Sequence, residues 1–338
     1  MSAPVPPPLR MGILGAATIA PIALVRPARE VDDVDVVSVA ARDPEKARRF
    51  AARHGIGKVH SSYAEMLDDP SLDAIYVPLP NGLHAEWTLR ALEAGKHVLC
   101  EKPLASNADE AARMAEAAEK SGRRLMEAFH WRYHPLSARV LEILASGELG
   151  TVRHVEARLC VPMLKPGDIR FRWDLAGGAL MDTGCYTVNI VRTLAGAGEA
   201  DAGDPEVLSA RAWKLSPDVD RAMEAGLRFP NGVTARIQCS LLSGWLLSAG
   251  AQVRGDQGRL SVFNPVAPQI HHRLKVRSPR GTRVERVRGD ASYTAQLRAF
   301  ASWLRGGPEP PSDARDGVRN MAIIDAIYEA AGMRRRGT

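Results

Sequence analysis

The constraint that narrows the fold most is an alternation, sustained over the first 130 residues, of short apolar runs with amphipathic stretches of helical period. Runs at 9–15, 34–42, 73–80, 97–100 and 124–129 read as strands. A stretch beginning near Thr18, one opened by Asp43-Pro44-Glu45, and those at 81–95 and 107–121 read as helices. Asp43 can accept the first free N–H groups of a helix, and Pro44 has its φ preset for the first helical position. Gly95 suits a helix end that needs a left-handed residue. Alternation of this kind builds parallel βαβ units, so this half predicts a doubly wound parallel sheet.

Beyond Gly150 the punctuation changes. Runs at 151–161, 207–214, 222–229, 233–242, 252–254, 259–263 and 271–276 read as strands, and Pro230-Asn231-Gly232 marks a tight hairpin between two of them. Strands joined by short turns pair antiparallel. Helices at 178–194, 293–304 and 316–331 accompany them. The expected class is therefore α/β. Residues 1–8 form a disordered, proline-rich lead-in, 9–130 a nucleotide-binding domain, and 131–338 an α+β domain on an antiparallel sheet.

Composition removes several classes of function. No run of about 18 apolar residues occurs, so no membrane partner is expected. The first ten residues lack the basic and apolar regions of a secretory signal. The net charge is +6, but Arg and Lys alternate with Glu and Asp on helix surfaces, and no nucleic-acid partner is expected. Arg334-Arg335-Arg336, the one dense basic block, reads as a solvated tail. Cys100, Cys160, Cys185 and Cys239 lack any zinc spacing and read as free buried thiols of a cytoplasmic protein. His271 and His272 do not make a metal pair, because adjacent strand residues point to opposite faces. No metal is expected.

Gly15-Ala16-Ala17-Thr18-Ile19-Ala20 lies between the first strand and its helix, where a dinucleotide fingerprint belongs. Gly15 permits the tight turn, and Ala17 and Ala20 replace the second and third glycines with only a methyl group each. At the end of the second strand an acid would bind a ribose 2′-hydroxyl. Arg42 stands there instead and offers a guanidinium for a 2′-phosphate, while Asp43 is committed to its helix. NADP is the expected cofactor, with NAD the alternative.

Glu101-Lys102-Pro103 follows a strand of the parallel sheet, where strand ends line the ligand crevice. Farther on, Asp182 and Tyr186 stand four apart and share a face if the segment is helical. An ammonium beside a phenol lowers its pKa, so Lys102 and Tyr186 would make an acid/base pair for alcohol oxidation. Singly, Lys102 also fits a strand-end lysine, Asp182 a helix cap and Tyr186 a core tyrosine; their joint order and spacing favour the chemical reading.

At these residues the chain resembles the glucose–fructose oxidoreductase / inositol dehydrogenase / rhizopine catabolism family. The fingerprint, Glu101-Lys102-Pro103 and the Gly-Gly-x-x-x-Asp-x-Gly-x-Tyr segment from Gly177 to Tyr186 carry the resemblance. So do Pro80-Asn81-Gly82-Leu83-His84 and the run from Met126 through His130, Trp131 and Arg132 to Pro135. The similarity covers nearly the whole chain, and its branch is that of dimeric dihydrodiol dehydrogenases and NADP-dependent xylose dehydrogenases. It implies a Rossmann domain and a large, open, mostly antiparallel sheet used for dimerisation. It implies a catalytic Lys102 at the start of a cis Lys102–Pro103 bond, Asp182 orienting substrate, and Tyr186 as proton-transfer group where many relatives carry His.

By the same carry-over Gly15, Ala16, Ala17, Thr18, Ile19, Arg42, Pro78, Leu79, Asn81, His84, Glu101, Lys102, Trp131 and Arg132 approach the cofactor. His130 and Phe171 face the substrate with Asp182 and Tyr186. The segment from Pro166 to Trp173 is either a substrate-closing loop or a structural brace. The activity implied is NADP-dependent hydride transfer to or from a sugar carbinol, first an aldose at its anomeric carbon and second a trans-dihydrodiol. A cofactor-binding sensor without turnover, or an enzyme cycling two sugars on tightly held NADP, are the alternatives.

Overall fold

A computed structural model describes residues 6–163, 165, 167–197, 202–244 and 247–338. Residues 1–5 of the expected lead-in, and Pro166 of the expected loop, lie outside the described residues. The first sheet comprises β1 (Leu9–Leu14), β2 (Val34–Ala40), β3 (Lys58–His60), β4 (Ala74–Val77), β5 (His97–Cys100) and β6 (Leu125–Glu127). Its order is β3-β2-β1-β4-β5-β6, and every pairing is parallel. The order reverses between β1 and β4. Beyond their carboxyl ends the connections diverge and leave the crevice where dinucleotides bind in this architecture.

The expected elements occur with shifted ends. A wide π-type turn, Pro21–Val25, runs into the single turn α1 (Arg26–Ala28), later than Thr18 because Pro21 sets the start. The helix α2 (Pro44–His54) opens under Asp43, whose carboxylate accepts from the N–H groups of Glu45 and Lys46, a cap worth about 1 kcal/mol. A 3₁₀ turn, Asn81–Leu83, precedes α4 (His84–Glu93), and α5 (Ala108–Ser121) opens under Asn107. The short β3 and α3 (Tyr63–Leu67) escape a periodicity reading because each is shorter than the pattern it would display. The helix α6 (Pro135–Ala145), at the head of the second unit, was not among the expected elements.

The second sheet runs β14-β13-β12-β11-β7-β10-β9-β8 and is antiparallel except between β7 and β10. Its strands are β7 (Val152–Cys160), β8 (Glu206–Ser216), β9 (Val219–Arg228), β10 (Thr234–Ser240), β11 (Ser248–Gly255), β12 (Arg259–Phe263), β13 (Arg273–Ser278) and β14 (Gly281–Glu285). The turn at Pro230-Asn231-Gly232 joins β9 to β10 as expected, with Gly232 at φ +84°. A π turn, Leu180–Gly184, leads into α7 (Cys185–Ala195), which covers β7 and β10. Then α8 (Ser292–Leu304) returns to the first sheet, where Leu297 and Phe300 join Met11, Ile13, Tyr76 and Leu99 in one core cluster. Last, α9 (Ala314–Ala330) packs on α5. The four cysteines are free and buried.

The basic tail departs from expectation. Arg336 is wholly buried, donates to Asp220 Oδ1 at 2.8 Å and to the Gly177 carbonyl at 2.7 Å, and lies over the rings of Tyr328 and Trp173. A guanidinium leaves water only for a partner of this kind, and Asp220 is also fully buried. Among the described residues no helix is long and apolar enough to cross a membrane.

Candidate active site

The loops after β1, β4, β5 and β6 open on one edge of the parallel sheet, and the π turn before α7 is brought against them. Lys102, at the start of a cis Lys102–Pro103 bond, donates from Nζ to the Asp182 carbonyl at 2.9 Å and pairs with Asp182 Oδ1 at 3.2 Å. Arg170 donates from Nε to the other oxygen of the same carboxylate at 3.0 Å. Burial opposes charge on Lys102 and Asp182 alike, but their attraction, with that of Arg170, outweighs it: Lys102 is raised and Asp182 lowered. An ammonium and a carboxylate therefore face each other at the crevice.

Tyr186 does not meet Lys102 as expected. The ammonium lies 5.0 Å from the centre of the phenol ring, a cation–π contact, and not at the hydroxyl. Burial, helped by Tyr293 and Glu101, pushes the phenol well above its ordinary range, so the expected lowering by Lys102 is overturned. The hydroxyl instead lies 3.1 Å from His130 Nε2. His130 is 3 % exposed and lies against Tyr186 at the side of its hydroxyl.

Several residues assigned to the cofactor are occupied with protein. His84 has no exposed surface, and its ring nitrogens lie 2.8 Å from the Pro103 and Leu79 carbonyls. It braces the loops of the crevice and does not line it. Glu101 is buried, accepts from the Tyr76 hydroxyl at 2.6 Å, and is raised by burial. Trp131 donates to Asn189 at 3.1 Å, and Arg132 to Asp316 at 2.9 Å and the Pro311 carbonyl at 2.7 Å, which ties both to the second unit's helices. Pro78 and Ala16 are buried, while Ala17, Ile19, Leu79 and Asn81 are half-buried and Thr18 is exposed. Asn81 donates to the Ala176 carbonyl at 3.2 Å.

The crevice fits a dinucleotide. Gly15 has φ +107°, and a Cβ there would lie 3.0 Å from Leu79. The loop behind it therefore approaches the switch point on backbone alone. Arg42 is exposed at the end of β2, and Asp43 is turned to its own helix. The loop expected either to close on substrate or to brace the sheet contributes Arg170 to Asp182, and its Phe171 is half-buried against the main core. His271 is exposed, and His272 is taken by the Pro268 carbonyl and the Val287 N–H.

Sequence reading missed Tyr76, Asn189, Ser292 and Tyr293, each of which meets a site residue from more than 20 positions away, and Asp220, which accepts from Leu180 N–H in the turn that carries Asp182. The double glycine was an available signal for Asp220. A Cβ on Gly178 would lie 2.2 Å from Asp220 Oδ1, so a side chain must approach the backbone closely there.

Residues 9–129 match the oxidoreductase family with an NAD-binding Rossmann fold, Gfo/Idh/MocA, and residues 137–261 match a Gfo/Idh/MocA C-terminal domain. The chain belongs to this family. Gfo/Idh/MocA members similar to it over their full length include D-xylose 1-dehydrogenase (NADP(+)) 2 of Haloferax volcanii, 37% identical over 96% of this chain and 97% of that protein. A dTDP-3,4-didehydro-2,6-dideoxy-alpha-D-glucose 3-reductase of Saccharopolyspora spinosa is 34% identical over 97% of this chain and 98% of its own. Among solved structures, a 3-ketoreductase of Actinomadura kijaniata in complex with NADP and TDP-benzene superposes with a TM-score of 0.87. It is 31% identical and covers 97% of this chain and 98% of its own.

Proposed function

We propose that this chain oxidises a sugar at a ring carbinol, an aldose at its anomeric carbon, with Lys102, Asp182 and Tyr186 as the groups that touch substrate. At the coarser level it is an NADP-dependent oxidoreductase of sugar-type carbinols and carbonyls, as its full-length relatives are. The observation that carries the finer reading is the Lys102–Asp182 pair set against Tyr186 at the strand ends of a doubly wound sheet. NADP, when bound, supplies the hydride acceptor or donor. Gly15, Ala17, Thr18, Ile19, Leu79 and Asn81 would hold its diphosphate and ribose side, and Arg42 its 2′-phosphate. Lys102 holds the substrate hydroxyl and favours its oxyanion, Asp182 orients it, and Tyr186 exchanges its proton.

Reduction of a keto group on a nucleotide-linked deoxysugar is the second reading, favoured by the whole-chain likeness to 3-reductases. We assign the cofactor unit to 9–130 and the substrate unit to 131–338, with α8 returning to the first. A cytoplasmic homodimer through the open sheet, without nucleic-acid or membrane partners, is consistent with the exposed Leu208, Leu215, Phe263 and Val284 on its strands. The test is absorbance of NADPH with aldoses, inositols and diols in one direction and keto-sugars in the other. Turnover of one class, lost in Lys102→Ala, supports the reading; tight NADP binding without any turnover sinks it.

A further inference from the structure

A phenol that keeps its proton can accept another from a carbinol only if its own leaves at the same time by a second path. The structure contains such a path. The Tyr186 hydroxyl lies 3.1 Å from His130 Nε2, His130 Nδ1 lies 2.8 Å from Ser292 Oγ, and Ser292 Oγ lies 3.0 Å from Gln269 Oε1. His130 and Ser292 are buried, while Gln269 is exposed. The chain of contacts therefore runs from the buried phenol to the surface.

Its far end fixes its direction. The Gln269 carbonyl oxygen can only accept, so the Ser292 hydroxyl donates to it. Ser292 Oγ then takes the Nδ1–H of His130. A neutral imidazole carries one N–H, which leaves a lone pair on Nε2 to accept from Tyr186. Burial, with Lys102 adding, holds His130 at about 3, so the ring is neutral. Tyr293, stacked at 3.9 Å, fixes the ring plane, and it neighbours Ser292 on α8. With its hydrogen committed to His130, Tyr186 presents a lone pair to the crevice.

We propose that Tyr186, His130 and Ser292 form a directed proton wire that carries the proton of the oxidised carbinol to solvent beside Gln269. The wire rests on the reading of Tyr186 as proton-transfer group. The carbinol proton passes to Tyr186 Oη as that hydroxyl's own proton passes to His130 Nε2. The Nδ1 proton passes to Ser292 Oγ, the serine proton to Gln269 Oε1, and the exposed Gln269 amide gives up an N–H proton to surface water. NADP, when bound, would take the hydride of the carbinol carbon, so the substrate loses two electrons, one proton reaches water, and every group of the wire stays neutral. Hydroxyl rotation and tautomer exchange reset it, and carbonyl reduction runs it backwards. His130 and Ser292 act through Tyr186 and position its proton.

The ground-state arrangement is read directly by NMR of the full chain carrying ¹⁵N-histidine, with His130→Ala locating the signal. A protonated Nδ1 and a pyridine-like Nε2 are expected, and the opposite tautomer overturns the wire. In turnover, His130→Ala should lower kcat for oxidation by about 10²-fold and leave KM within about threefold, as befits a positioned proton-transfer group. Added imidazole should restore the rate in proportion to its concentration. Ser292→Ala leaves the His130–Tyr186 contact in place and should cost less, about tenfold, within the same range of effect. A His130→Ala loss that imidazole leaves untouched, or kcat unchanged in both variants, overturns the proposal. Tyr186→Phe separates the levels. If it stays active the Tyr186 reading itself fails, whereas an inactive Tyr186→Phe beside a fully active His130→Ala removes only the wire.

Discussion

Two carboxylates hold the segment from Gly177 to Tyr186 from opposite sides. Asp220 takes its beginning: Oδ2 accepts from Leu180 N–H at 2.7 Å, and Oδ1 from Arg336 and Tyr328, both at 2.8 Å. Asp182, within the segment, faces Lys102 and Arg170. The Asp220–Arg336 pair is fully buried, while Lys102 and Asp182 keep 15% and 19% of their side chains exposed. Burial pushes Asp220 up against the pull of Arg336, whereas two cations bring Asp182 below the ordinary range. Ion pairs of similar composition thus do different work according to access: the closed one sets the backbone, and the open one keeps charges where a ligand can reach them.

Removing a partner from each pair should separate these roles. Lys102→Ala should lower kcat/KM by about 10²- to 10⁴-fold, the range of a positioned proton-transfer or charge-stabilising group. Its melting temperature should hardly move, because Asp182 keeps Arg170. Arg336→Met should do the reverse. It strands the Asp220 carboxylate in the interior, and about 3–5 kcal/mol of unfolding free energy should disappear in a urea titration. Folded molecules of that variant should retain NADP binding. An Arg336→Met protein as stable as the parent, or a Lys102→Ala protein that melts far lower, would break the contrast.

The same contrast separates what a reader of the sequence can find from what lies hidden. The parallel sheet, the Gly15 turn, the Asp43 cap and the Pro230-Asn231-Gly232 hairpin are local, each signalled within a few residues. Motif order named Lys102 and Asp182 as candidates, and the structure brings them together although 80 residues separate them. Arg336 was not legible. A basic triplet after a last helix has the same composition in water or in a core, and its acid lies 116 positions earlier. The direction of the Tyr186 shift was misread for a related reason. A neighbouring ammonium can be guessed from a motif, but the burial that pushes the phenol up, with Tyr293 and Glu101 adding to it, is assembled only by folding.

Arg170 tests the open side more gently. Its side chain is 39% exposed and shares Asp182 with Lys102. Arg170→Gln should free the carboxylate to swing toward Lys102 and lower kcat about tenfold, roughly 1.4 kcal/mol of lost orientation. Stability should stay level. A change confined to KM, measured by initial rates with the best substrate, would make Arg170 a substrate contact and leave Asp182 held by Lys102 alone.

The smallest effect is expected at a third carboxylate, beside the tail. Asp325 accepts from Ala108 N–H at 2.8 Å, and the nearest Arg335 nitrogen is 3.8 Å away. Burial pushes it up to about 6, with Arg335 pulling it down and Asp109 and Glu329 pushing it further up. The folded pKa stands above the unfolded one, so folding favours the protonated acid. The penalty is absent below the ordinary carboxylate range, grows as pH rises, and is complete once pH passes the folded pKa. Asp325→Asn removes it while keeping an oxygen for Ala108. At pH 8 the variant should gain about 1–3 kcal/mol, since each pKa unit corresponds to about 1.4 kcal/mol. At pH 4 the two proteins should unfold at nearly the same urea concentration. A gain independent of pH would mean that packing, not charge, sets the effect, and that the weakly paired Asp325 behaves like Asp220 after all.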